Sequence, residues 1–203
     1  ISGAGLTTIT GNIGTTLALA SLDINAVDDN ANTGGVTISG DIGSGATSNA
    51  GVGVTGEVKL GNPKTDNTVT LSGGAISVGD DMTLYAKAYS IASGSTNLTI
   101  VTSNDKVLFK KATGEDGIVT LGENNFSIDT DTTNTSGAGN GEDITFEGDI
   151  IGATHSTPAS NTAVDISLDG GASGTVTVLG IGHTTGGNDN TEINTVTLTG
   201  TTI

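Results

Sequence analysis

The 203-residue chain has no Cys, no Trp and no Arg, two Pro, and only 2% aromatic residues. Without Cys it can build no disulfide framework, iron–sulfur cluster, thiolate zinc site or thiol nucleophile. Cations are scarce too: six Lys stand against 22 Asp and Glu, giving a formal net charge of -16. Nucleic-acid binding requires a basic footprint that releases counterions from phosphate, so this charge argues against nucleic acid and anionic membrane surfaces as partners. No apolar run approaches the roughly 18 residues of a membrane span, and no membrane insertion is expected. Ile1 opens no basic and apolar leader, so the sequence reads as a mature protein or an excised segment. The 33% hydrophobic residues are mostly Ile, Val, Leu and Ala, which predicts a thin, long core without large rings.

The sparse charges are unevenly placed. All six Lys lie between Lys59 and Lys111, leaving 18 acids and no base in the flanks. Such acidity keeps a chain soluble, and it also suits a divalent cation shared between carboxylates or charge matching between neighbouring copies. Low aromatic content with high charge is also a mark of disorder, but here the apolar residues are patterned.

The pattern is a short unit with Thr between two apolar residues, followed by Gly. It occurs as Val36-Thr37-Ile38-Ser39-Gly40-Asp41-Ile42, Val69-Thr70-Leu71-Ser72-Gly73, Val119-Thr120-Leu121-Gly122 and Ile144-Thr145-Phe146-Glu147-Gly148-Asp149-Ile150. Val176-Thr177-Val178 and Val196-Thr197-Leu198 repeat it. Alternation of this kind predicts strands of four to six residues with one face buried. Two longer matches, Gly35 to Thr47 with Asp143 to Thr154 and Thr8 to Ile24 with Thr177 to Leu198, mark a structural repeat. Met82 to Ile91, the best candidate for a helix, alternates like a strand, and 33 Gly with Asn and Asp supply corners. The expected fold is all-β, a right-handed β-solenoid of roughly seven to ten coils forming one segment over 1–203, with an internal repeat junction near 134–142. The alternative is a tandem pair of β-sandwich domains divided at that junction.

Thr10 to Ile24 and Gly34 to Ile42, with Phe126-Ser127-Ile128-Asp129 leading through Gly137 to Gly141 into Ile144-Thr145-Phe146, resemble β-strand repeats of giant bacterial surface proteins. These are the filamentous-haemagglutinin-like and autotransporter-type adhesins. The resemblance implies a right-handed β-helix, an extracellular or cell-surface location, and a role as stalk, matrix or filament. The Lys106 to Lys111 stretch departs from the repeat and is a candidate interaction site.

Little in the chain suggests catalysis. His155 and His183 sit in polar loops without a ligand pattern, and no nucleophile elbow, phosphate loop or zinc-protease motif is present. A polysaccharide-degrading solenoid would need acids together with basic groups for an anionic substrate, and Arg is absent. The chain is therefore expected not to be an enzyme; a carbohydrate-binding or polysaccharide-degrading β-helix protein, with surface glycans as partners, is the alternative. An ice-binding solenoid is a further alternative, but the pairs Thr8-Ile9-Thr10 and Thr195-Val196-Thr197 do not recur at an even spacing. Candidate Ca²⁺ ligands are the turn acids Asp28, Asp29, Asp80, Asp81, Asp129, Asp131, Asp143 and Asp189, since Ca²⁺ takes six to eight oxygens and turns can converge them. The remaining expectation is assembly: Leu6 and Ile9 at one end, and Val196, Leu198 and Ile203 at the other, are apolar strand edges without polar caps. Their expected partners are neighbouring copies or adjacent repeats of the same protein.

Overall fold

A computed structural model describes residues 1, 5–14, 17–24, 35–43, 53–63, 67–131, 140–152, 163–182 and 192–203. The described chain is all strand and corner, and it visits three parallel sheets in rotation. The first circuit contains β1 (Thr7–Ile9) and β2 (Leu22–Ile24), and the second β3 (Val36–Ile38) and β4 (Val58–Gly61). The third holds β5 (Thr68–Leu71), β6 (Gly74–Val78) and β7 (Met82–Ala86), and the fourth β8 (Ala88–Ile91), β9 (Leu98–Thr102) and β10 (Val107–Lys111). Next come β11 (Ile118–Leu121), β12 (Phe126–Asp129) and β13 (Ile144–Phe146), then β14 (Ile150–Gly152), β15 (Ala163–Asp169) and β16 (Val176–Thr177). The last circuit has β17 (Ile181–Gly182) and β18 (Glu192–Thr199), and the chain then returns to bridge Thr175 through Thr202.

Sheet I orders β1-β3-β5-β8-β11-β14-β17, sheet II β6-β9-β12-β15-β18 and sheet III β2-β4-β7-β10-β13-β16. In the first two circuits, isolated parallel bridges joining Ile13, Ile42 and Ile76, and Leu19, Val54 and Val78, stand in for sheet II. Sandwich sheets are antiparallel, whereas every strand pair here is parallel, so the tandem-sandwich expectation fails. Most of the expected 134–142 junction lies outside the described residues.

Parallel registration sets each inward residue over its equivalent. Leu22, Val58, Met82, Val107, Ile144 and Val176 form one column of sheet III, and Val36, Val69, Tyr89, Val119 and Ile150 one column of sheet I; all are buried. The core is aliphatic and long, as expected, but it has an aromatic centre that composition concealed. All three Phe converge there: Phe109 stacks on Phe146 at 4.5 Å, while Tyr89 and Phe126 meet Phe109 edge-on at 5.2 and 6.2 Å. The Tyr89 hydroxyl reaches the carbonyls of Leu84 and Lys110, and burial pushes its phenol far above the usual range.

The Gly of the repeated unit has a steric cause. A Cβ on Gly40, Gly122 or Gly148 would run into backbone carbonyl oxygens of Gly11, Ala92 and Gly117 in the preceding circuit. At these three positions adjacent circuits approach too closely for a side chain. The longer matches prove to be repeats of a side and a corner. Gly35 to Ile42 runs from sheet I to sheet II, whereas Asp143 to Ile150 runs from sheet III to sheet I. Thr8 to Ile24 and Thr177 to Leu198 are offset by one sheet in the same way.

The register predicts opposite outcomes at neighbouring positions of β10. Phe109→Ala should cost about 3–5 kcal/mol by emptying the ring cluster, while Leu108→Ala on the outer face should fall within about 0.5 kcal/mol of the parent, both read by urea denaturation.

Candidate functional site

The turn acids serve the backbone first. Asn12 Oδ1 accepts the Asp41 N–H at 2.9 Å, and Asp41 Oδ1 accepts that of Ala75 at 2.9 Å, so each circuit caps the next. Asp81 does the same for Lys106 (2.9 Å), Asn97 for Asn125 (3.1 Å), Asn125 for Asp165 (2.9 Å) and Asp143 for Thr175 (2.9 Å). Each of these acceptors immediately precedes an inward residue. The N–H it caps faces back to where the earlier circuit is still turning and presents no carbonyl, and a side-chain oxygen fills that place.

Of the eight candidate Ca²⁺ ligands, Asp28, Asp29 and Asp189 lie outside the described residues. The others do not form one site. Asp143 is committed to Thr175, while Asp129 and Asp131 share a corner where Asp129 Oδ1 accepts the Asp131 N–H at 3.0 Å. There burial, followed by the neighbouring Asp129, raises the Asp131 carboxyl above its usual range. Asp80 and Asp81 do come together, with a residue the sequence reading missed: one oxygen from each of Asp80, Asp81 and Asp105 lies within 4.8 Å of the others. Partial burial raises the Asp105 carboxyl, and Asp80, Asp81 and Glu142 add to the rise. Three carboxylates can hold a divalent cation if water or carbonyls complete the six to eight oxygens of Ca²⁺. Asp105 was hidden because it lies one circuit beyond Asp81, a neighbour only through the pairing of β7 with β10.

Three of the six lysines, Lys59, Lys110 and Lys111, lie on strands of sheet III, and Lys64 lies outside the described residues. Lys59 lies on β4, 2.7 Å from Glu57, and within the Lys106 to Lys111 stretch the Lys110 ammonium stands 5.4 Å above the Tyr85 ring. His155 and His183 lie outside the described residues. The Thr pairs correct the sequence reading: Thr8, Thr37, Thr70, Ser90 and Thr120 form one outward row, and Thr99, Ser127, Ser167 and Thr197 another. Circuits advance by between 20 residues (Val69 to Tyr89) and 40 (Ile128 to Leu168), which scrambles the spacing in sequence.

The two end faces are the most distinctive surfaces. Among the described residues, the exposed large hydrophobics are Ile1, Leu6, Leu17 and Leu19 at one end and Leu179, Val196 and Ile203 at the other. Four of the five predicted edge residues lie on or beside the tips of core columns: Ile9, half-buried under Ile38; Val196 and Leu198 above Ile166 and Leu168; and Ile203 beside the Thr175–Thr202 bridge. Leu6, 66% exposed, stands on the outer flank of sheet I instead of heading a column. Among the described residues, β2, β17 and β18 pair with another strand on one side only, and beyond β16 lies only the Thr175–Thr202 bridge. On the open edge of β2, the Asp23 carbonyl already accepts a hydrogen bond from the Ile1 amino group at 2.8 Å.

No family model, curated protein or solved structure matches the chain.

The acidic trio predicts a pH-dependent substitution. A carboxyl raised in the folded state holds its proton more tightly there than in the unfolded chain, so stability falls as pH rises through that window. Asp105→Asn should therefore match the parent below the ordinary carboxylate range and melt higher at neutral pH, whereas Asp81→Ala, which uncaps Lys106, should lose about 1–2 kcal/mol. Thermal melts at pH 3 and pH 7 would reveal both.

Proposed function

We propose that the chain is a right-handed β-solenoid segment of an extracellular surface protein, an adhesin, filament or surface-layer component, whose end faces receive further coils of the same kind. The observation that carries this reading is the placement of apolar residues among the described residues: buried columns run through the intermediate circuits, and the exposed large hydrophobics belong to the first and last circuits. A stack of parallel strands buries its aliphatic columns only where another circuit covers them, and adjacent circuits supply that cover. Right-handedness follows from the near-universal hand of crossovers between parallel strands. The role is mechanical, and the charged corner groups support it by capping backbone. The surface location rests on the likeness of the strand repeats to those of giant bacterial adhesins.

A tandem fusion of two copies tests the reading. Seven circuits at ~4.8 Å per strand spacing make a stack about 34 Å tall, so a continuous double stack should measure about 67 Å by small-angle scattering. It should also unfold in one transition at higher denaturant than the single chain. Two units that melt independently at the single-chain midpoint would sink the idea, and depolymerisation of an acidic polysaccharide would favour the carbohydrate alternative.

A further inference from the structure

We infer that the outer face of sheet I is an ice-binding surface, whose hydroxyl columns dock onto the lattice of frozen water. This goes beyond the mechanical role of the stack and uses a flank which that role leaves idle.

The pair Thr8-Ile9-Thr10, unevenly repeated in sequence, recurs evenly in space. Thr8, Thr37 and Thr70 are register partners on β1, β3 and β5. Two residues further along stand Thr10, Ser39 and Ser72, and all six side chains are exposed or half-buried. The backbone ladder carries this second position with it: the Ser39 N–H donates to the Ile9 carbonyl at 2.9 Å, and the Ser72 N–H to the Ile38 carbonyl at 3.0 Å. Two hydroxyl columns therefore run side by side through three circuits, and Ser90 and Thr120 extend the first through two more.

The repeat of these columns suits ice. Hydrogen bonds between water molecules are ~2.75 Å long, and the tetrahedral angle between two of them sets second-neighbour oxygens ~4.5 Å apart. Parallel strands repeat at ~4.8 Å, so a column departs from that lattice row by about 0.3 Å per circuit, or ~0.6 Å over the double column.

Charge singles out the same face. Among the described residues, no strand of sheet I carries a charged side chain, whereas sheet II strands hold Asp129, Asp165, Asp169 and Glu192, and sheet III strands hold Asp23, Lys59, Lys110 and Lys111. A charged group orders water around itself, and a chain of net charge -16 thus leaves sheet I as the flank open to a neutral lattice. Its hydroxyls are also free to bond outward. In the sheet II row the Ser127 hydroxyl donates to Thr99 at 3.0 Å, but the sheet I hydroxyls make no hydrogen bond among the described residues.

Other occupants fit less well. The six strands from β1 to β14 span about 24 Å and three outward positions about 13 Å, so the face offers about 300 Å², well under the ~800 Å² per partner of a standard protein interface. A sugar ring would stack on an aromatic side chain, and the one ring outside the core, Tyr85, lies on sheet III.

Thermal hysteresis and ice-crystal habit, measured on the full chain, test the inference. The parent should hold seed crystals faceted and without growth across a gap between melting and freezing points. Thr70→Lys, or Thr37→Lys if the first variant loses its β-sheet circular dichroism, should abolish the gap, while Thr145→Lys on sheet III should keep it. A folded parent that neither facets ice nor opens a gap at millimolar concentration overturns the inference, as does an equal loss in Thr145→Lys. Retention on crystalline cellulose with no effect on ice overturns it too, and assigns the face to a neutral polysaccharide.

Discussion

Everything in this structure depends on the parallel backbone ladder. Each strand bonds to its equivalent one circuit earlier and one circuit later, so like positions lie above like along the whole stack. The column Leu22, Val58, Met82, Val107, Ile144 and Val176 is apolar at every level, because a polar member buried between two neighbours needs a partner of its own, as Thr102 beside Val78 has in the Asp105 carbonyl. The same constraint leaves corner length free. The chain can take 20 residues or 33 to come round, provided it re-enters the ladder in register.

Corners are where the ladder falls short of its own hydrogen bonds, and there the polar residues become structural. Asn12, Asp41, Asp81, Asn97, Asn125 and Asp143 each replace a carbonyl that the turning chain does not present. Three of these caps are acids with a local purpose, but acidity has a cost where carboxylates meet. Across circuits Asp105 is crowded by Asp80 and Asp81, and within one corner Asp131 by Asp129; burial is the largest cause of both raised carboxyls, followed by like charge at Asp105 and by the hydrogen bond with Asp129 at Asp131.

The sequence made the strands legible because each is short, half-buried and strictly alternating. Val36-Thr37-Ile38 and Ile144-Thr145-Phe146 could be placed as strands from pattern alone, whereas Met82 to Ile91, which reads as one strand, is two in different sheets that meet at Lys87. What depends on circuit length was not legible. The hydroxyl row from Thr8 to Thr120 and the meeting of Asp105 with Asp81 arise between residues that are neighbours only after irregular corners have been traversed. The ring cluster was concealed for the same reason, since Tyr89, Phe109, Phe126 and Phe146 come from three sheets and no local pattern joins them. Apolar strand edges at both ends could be read, and Leu6, 66% exposed, stands one residue ahead of β1.

Because the repeated unit is one side and one corner, and the same unit serves at the corner from sheet I to sheet II and at that from sheet III to sheet I, the stack obeys a counting rule during its growth. Duplicating a single unit would rotate every later strand by one sheet and so change the column that each later inward residue joins. Duplications in threes leave every column in place. Drift in corner length is free, drift in the number of sides is not, and gene-level expansion of such a chain is therefore quantised in whole turns.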